Sequence, residues 1–169
     1  MKPRLTVTLP ELLDKGSDLA FRELVADLFA AVAGMQALRR ALAACVDLSA
    51  GEFSVLLATR HLQARGAVAI RTVAQHLHAA PANITTDVNA LVRAGLMRKR
   101  DHPEDSRAVD IGLTRKGERA LEDLAPLLRR INDRLFAGNT RAGMAAVAKF
   151  LKHLAVESKH AVRLARTRG

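Results

Sequence analysis

The stretch GLMRKRDHPEDSRAVDIGLTRKG, residues 95–117, decides the fold. Two short strand-like runs, Leu96 to Lys99 and Val109 to Leu113, flank a charged tip that holds Asp101, Pro103, Glu104, Asp105 and Arg107. Proline and aspartate favour turns, because one fixes φ and the other bonds its own backbone. The stretch therefore predicts a hairpin. An arginine among acidic residues at the end of a hairpin that follows a helix predicts a wing, a projection that reaches into a DNA groove.

The residues before it predict a helix-turn-helix. Arg71 to Leu77 is a short amphipathic segment with Val73, Ala74 and Leu77 on one face, and His78-Ala79-Ala80 makes the turn. Pro81 then opens a second helix, where a missing N–H and a fixed φ cost nothing. Ile84, Val88, Leu91 and Val92 recur at helical spacing and predict one buried stripe. The opposite face carries Asn83, Thr85, Thr86, Asn89 and Arg93. Small polar side chains suit a face lying in a major groove, where they reach base edges and phosphates. Gly95 is placed to end the helix in the left-handed conformation.

This order of elements resembles the MarR family of winged-helix regulators. The matching pieces are Gly95-Leu96, the D-x-x-x-D-x-R tip of Asp101, Asp105 and Arg107, then Leu113-Thr114 and Gly117. The likeness is densest from about Ser49 to Glu122, and the helical flanks fit in order and length. Two departures stand out. Ala80 occupies a position where the family often has a serine cap, and the first turns of the recognition helix lack a basic residue.

Composition agrees with a nucleic-acid partner. The 169 residues carry a net charge of +10, and 49% are hydrophobic, enough for a core. Residues 1–48 hold six basic and six acidic side chains, residues 49–116 ten and six, and residues 117–169 eleven and five. The excess thus lies beyond the first helix, and a basic surplus favours polyanions. A single cysteine excludes an intrachain disulfide and fits a reducing compartment. No apolar run is long enough to span a bilayer, and no signal peptide is expected. A cytoplasmic location follows as the expectation. Phosphate loops, paired cysteine motifs and nucleophile elbows are missing, so neither an enzyme nor a cofactor is expected, and no metal site is assigned.

The fold class expected is mainly α with a small β-hairpin wing, flanked by long dimerisation helices. Residues 1–48 form an arm and a first helix from Ser17 to about Cys45. Residues 49–116 form the winged helix-turn-helix, and residues 117–169 two C-terminal helices. Ser49 with Glu52 forms a capping box at the start of the domain, with Leu48 and Phe53 placed as its hydrophobic staple. That helix stops at Gly66, and Ala67 to Ile70 add a third short strand. Thr114 caps the next helix, Pro126 kinks it, and a last helix runs from about Arg141 to Arg166. Both outer helical regions carry apolar stripes that a wing domain of this size cannot cover. A twofold homodimer covers them, as the resemblance also implies, and sets two recognition helices about one DNA turn apart on a pseudo-palindromic operator.

The function expected is a homodimeric, sequence-specific DNA-binding transcriptional regulator, a repressor released from double-stranded operator DNA by a small molecule. Asn83, Thr85, Thr86 and Asn89 read the major groove. Arg93, Arg98, Lys99, Arg115 and Lys116 meet the backbone, and Asp105 orients Arg107 in the minor groove. The resemblance implies an effector pocket for aromatic or phenolic acids, with Arg60, His61 and Cys45 near the junction of helices. Cys45 is expected as a small buried apolar residue; the alternative is a redox sensor beside Arg39 and Arg40. A second alternative is a helical adaptor that docks an acidic protein. Arg107→Ala should weaken operator binding by about tenfold or more with no change in melting temperature. Unchanged affinity in a DNA titration contradicts the wing assignment.

Overall fold

The structure is a computed structural model and describes residues 4–101 and 109–167. A short 3-10 turn, Pro10–Leu12, precedes α1 (Leu19–Ala44), α2 (Ala50–Gln63), β1 (Val68–Ala69), α3 (Ile70–His76) and α4 (Pro81–Arg93). β2 (Met97–Asp101), β3 (Val109–Leu113), α5 (Arg115–Phe136) and α6 (Arg141–Arg166) complete the chain. The three strands form one antiparallel sheet in the order β1-β3-β2, with Met97 opposite Leu113, Arg100 opposite Asp110 and Val68 opposite Ile111. A mainly helical chain with a small winged sheet is the class the sequence predicts.

Local chemistry accounts for most boundaries. The Ser49 hydroxyl accepts from the Glu52 amide at 3.2 Å, and the Glu52 carboxylate accepts from the Ser49 amide at 2.7 Å. This reciprocal pair satisfies two of the donors that a helix start leaves without a partner. Gly95 adopts φ +72° and ends α4, and Gly66 and Gly138 likewise take positive φ after α2 and α5. Ala80 offers no side-chain cap to α4, where Pro81 supplies the pre-set φ instead. Ile70 differs from expectation: it starts α3 rather than extending β1, which is two residues long.

The first helix begins two residues later than its pattern predicts, and the reason lies in the arm. Asp18 is 4% exposed, and its Oδ2 accepts from the Thr6 amide at 2.7 Å and the Thr6 hydroxyl at 2.8 Å. Arg22 Nε donates to the same oxygen at 3.0 Å and its Nη2 to the Arg4 carbonyl at 2.9 Å. These bonds, the Thr6 amide foremost, hold the Asp18 carboxyl down to about 2. Engaged with the arm, Asp18 gives α1 no side-chain cap.

Two compact units divide the chain, Met1–Leu124 and Ala125–Gly169. In the first, Phe53, Val55 and Leu56 of α2 are buried with Val73 of α3, Ile84, Val88 and Leu91 of α4, and Met97, Ile111 and Leu113 of the sheet. Each such aliphatic or aromatic side chain contributes roughly 1.5–3 kcal/mol on leaving water. Thr59 is wholly buried, with its hydroxyl bonded to the Val55 carbonyl at 2.8 Å. Helix α5 runs through Pro126, and the boundary between the units falls beside it.

The wing closes onto α5 at one tight point. The Thr114 amide donates to the Leu96 carbonyl at 3.0 Å and its hydroxyl to the Gly95 carbonyl at 2.7 Å, while that hydroxyl accepts from the Gly117 amide at 3.2 Å. Thr114 is thus the cap the sequence predicts for α5. A Cβ on Gly117 would collide with the Leu96 carbonyl oxygen and stand 3.1 Å from its carbon. Backbone cannot move aside as a side chain can. Gly117→Ala should therefore cost about 2 kcal/mol or more, read as a lower urea midpoint. A midpoint equal to wild type contradicts the closure.

Candidate nucleic-acid interface

Helix α4 owes its orientation to its two faces. Ile84, Val88 and Leu91 are buried, which turns Asn83, Thr86 and Arg93 outward as exposed residues. Thr85 and Asn89 are half-buried at the edge of the same surface. The Thr85 and Thr86 hydroxyls donate to the Pro81 and Ala82 carbonyls at 2.9 and 3.1 Å. Their protons are thereby committed to the helix, and each oxygen remains an acceptor toward a base or its amino group. Asn89 Oδ1 accepts from Lys99 Nζ at 2.6 Å, which ties the recognition helix to the wing strand.

Strand alternation sorts the wing residues. Successive side chains point to opposite faces of a sheet, so Lys99 turns toward Asn89 while Arg98 and Arg100 turn away. The two arginines line a cavity of about 190 Å³ with Gln63, Asp110 and Gly112. Arg98 and Lys99, both expected at the DNA backbone, therefore stand on different faces. Arg115 is exposed at the first position of α5. Lys116, next to it, is exposed as well. Its ammonium donates to the Ala94 carbonyl at 2.8 Å, at the end of α4, where a cation suits the negative pole of the helix. Asp105 and Arg107 lie outside the described residues.

The candidates for effector contact do not gather at one place. Arg60 lines a cavity of about 410 Å³ with Gln63, Ala64, Glu118 and Glu122. Its Nη1 donates to the Glu118 carbonyl at 3.4 Å and lies 3.9 Å from Glu122 Oε1. His61 is one residue on, and its ring stacks on His76 of α3 with centroids 5.5 Å apart and planes at 27°. Cys45 departs from expectation, being exposed in the single chain, with its thiol donating to the Ala41 carbonyl at 3.3 Å. It lies one residue beyond α1, where the helix no longer shields it. Among the described residues no group of three or more His, Cys, Asp or Glu side chains is arranged to hold a metal ion. No described helix is long and apolar enough to cross a membrane.

Residues 48–109 match the model of the MarR family. The winged-helix region of this chain is thus similar to the MarR family. No curated protein sequence matches the chain. Among solved structures, BpsR from Bordetella bronchiseptica is similar at 26% identity with a TM-score of 0.50, over 64% of this chain and 80% of that one. CouR from Rhodococcus jostii RHA1, bound to p-coumaroyl-CoA, reaches a TM-score of 0.66 at 23% identity, over 78% and 91%. MarR from E. coli gives 0.55 at 20% identity, over 76% and 94%. The last two likenesses are of fold.

The Lys99–Asn89 contact is a site feature that sequence reasoning placed on two separate elements and did not join. It generates a paired expectation for this domain. Asn89→Ala should relax base preference at one position of a selected duplex at a cost of roughly 1–3 kcal/mol. Lys99→Ala should weaken binding to all sequences alike and lower the salt slope by about 1. Anisotropy titrations on matched and single-base-changed duplexes read both effects. A reversed pattern contradicts the assignment.

Proposed function

We propose that the protein is a homodimeric, sequence-specific DNA-binding transcriptional regulator, a repressor that leaves a pseudo-palindromic operator when a small molecule binds. The observation that carries the reading is the surface of α4. Asn83, Thr86 and Arg93 are presented outward from a helix packed on the body by three buried aliphatics, next to a wing strand of Arg98, Lys99 and Arg100. The family match over residues 48–109 supports it. So does the likeness to BpsR, whose DNA binding is regulated by 6-hydroxynicotinic acid.

Apolar exposure supports the dimer. On α1 Leu24, Val32 and Met35 are 45–54% exposed, and on α6 Val147, Leu151, Val156 and Val162 are 47–53% exposed. Side chains of this kind in the single chain call for a protein cover. A second copy supplies it and sets the two recognition helices for a twofold operator. The cavity at Arg60 is our candidate for the effector. Its guanidinium is the group for an acidic ligand, which must displace Glu122 to form a bidentate pair. We extend the aromatic-acid expectation to this site on that basis.

The test is a titration of the purified protein against the DNA upstream of its own gene, beside a scrambled duplex of equal length. The expected result is a preference of roughly 10³ or more for the native duplex, weakening steeply with salt. Weak and equal binding to that duplex, to the scramble and to any duplex selected from a random pool contradicts the proposal and favours the adaptor.

A further inference from the structure

Gly51 is the second residue of α2, and its backbone is ordinary helix that any residue adopts. Conformational freedom therefore gives no reason for a glycine there. Space does. A Cβ built on Gly51 would stand 2.7 Å from Oδ2, 3.1 Å from Oδ1 and 3.2 Å from Cγ of Asp87. Asp87 belongs to α4, one residue from Thr86 and two from Asn89. The recognition helix thus rests on the first turn of α2 through a carboxylate seated in the gap that the missing side chain leaves.

Asp87 is half-buried, and burial followed by the charge of Glu52 raises its carboxyl above the ordinary value. Glu52 is held in place by the Ser49 amide at 2.7 Å, so the capping box fixes the negative charge beside the seat. Within α4, Asp87 lies about one helical turn from Ile84 and from Leu91, both buried against the core. A methyl at Gly51 would therefore meet the Asp87 side chain before any other part of α4.

We propose that Gly51 is a positioning residue for the recognition helix: lacking a side chain, it lets Asp87 seat against α2 and fixes the depth at which Asn83, Thr86 and Asn89 meet DNA. The inference rests on the DNA-binding reading for its consequence, though the seating itself does not. Local propensity gives a signature that separates this role from a structural one. Alanine is the better helix former, so Gly51→Ala acting locally raises the melting temperature or leaves it unchanged.

Three variants decide the matter: Gly51→Ala, Asp87→Ala and the two together. The binding probe is a duplex that the wild-type protein selects from a randomised pool, and amide resonances of residues 81–93 are followed without DNA. Gly51→Ala should lose about tenfold in affinity and shift the α4 resonances with no loss of melting temperature. The double variant should return both toward wild type, because the methyl then occupies room the carboxylate has left. Two results overturn the proposal: Gly51→Ala with wild-type affinity and unshifted resonances, or a double variant as impaired as the single. Should the wild-type protein select no sequence, the DNA-binding reading falls, while the resonance shifts and their reversal still decide the seating.

Discussion

The structure depends on the join between the wing and α5. Two bonds from Thr114 link the end of the hairpin to the residues that follow the recognition helix, and a third caps α5. Gly117 brings the α5 backbone against the Leu96 carbonyl at a distance no side chain permits. Lys116 closes the end of α4 from the same turn. Recognition helix, wing and the helix that leads out of the domain therefore meet within a few residues, and a displacement of one displaces the others. For the regulation we propose this is a physical basis, because a ligand that shifted α5 would act on the DNA-reading surface through contacts already in place.

Charge is distributed to match. The basic strand Arg98–Arg100 alternates its side chains between the two faces of the sheet, with one toward the recognition helix and two toward a cavity bordered by Asp110. A surface built this way holds several cations close to one helix without aligning them all on it. Phosphate contact fixes the register of a protein on DNA and carries no base information, whereas we propose Asn83, Thr86 and Asn89 as the groups that discriminate bases. In the Arg60 cavity one guanidinium faces two glutamates. The acidic ligand we propose there would compete with Glu122, so its affinity would be set by the exchange of one carboxylate for another rather than by an unpaired cation.

Features governed by local chemistry were legible in the sequence. The capping box at Ser49 and Glu52, the left-handed Gly95, the Thr114 cap and the buried stripe of α4 each depend on residues within one or two turns. Features that join distant segments were not. The first helix reads as starting at Ser17, yet the Asp18 carboxylate bonds Thr6 across the arm and α1 starts at Leu19. Cys45 sits among apolar neighbours and reads as core, yet it falls past the last turn of α1 and is exposed in the single chain. Lys116 reads as a backbone contact for DNA, but a carbonyl at the end of α4 lies within its reach. The Gly51–Asp87 seat is of the same kind, since neither residue carries a signal that points to the other. For the candidate site, residue types and the exposed face of α4 were readable, while the Lys99–Asn89 bond and the stacking of His61 on His76 join segments that no local pattern connects.

The central claim is that α4 enters the major groove of DNA, twice, in a twofold assembly. Hydroxyl-radical footprinting of the protein on a duplex it selects tests this most directly. The account predicts two protected patches related by a dyad and separated by about one helical turn, roughly 34 Å. A single patch contradicts the twofold assembly, and uniform protection along the duplex contradicts sequence-specific recognition by α4.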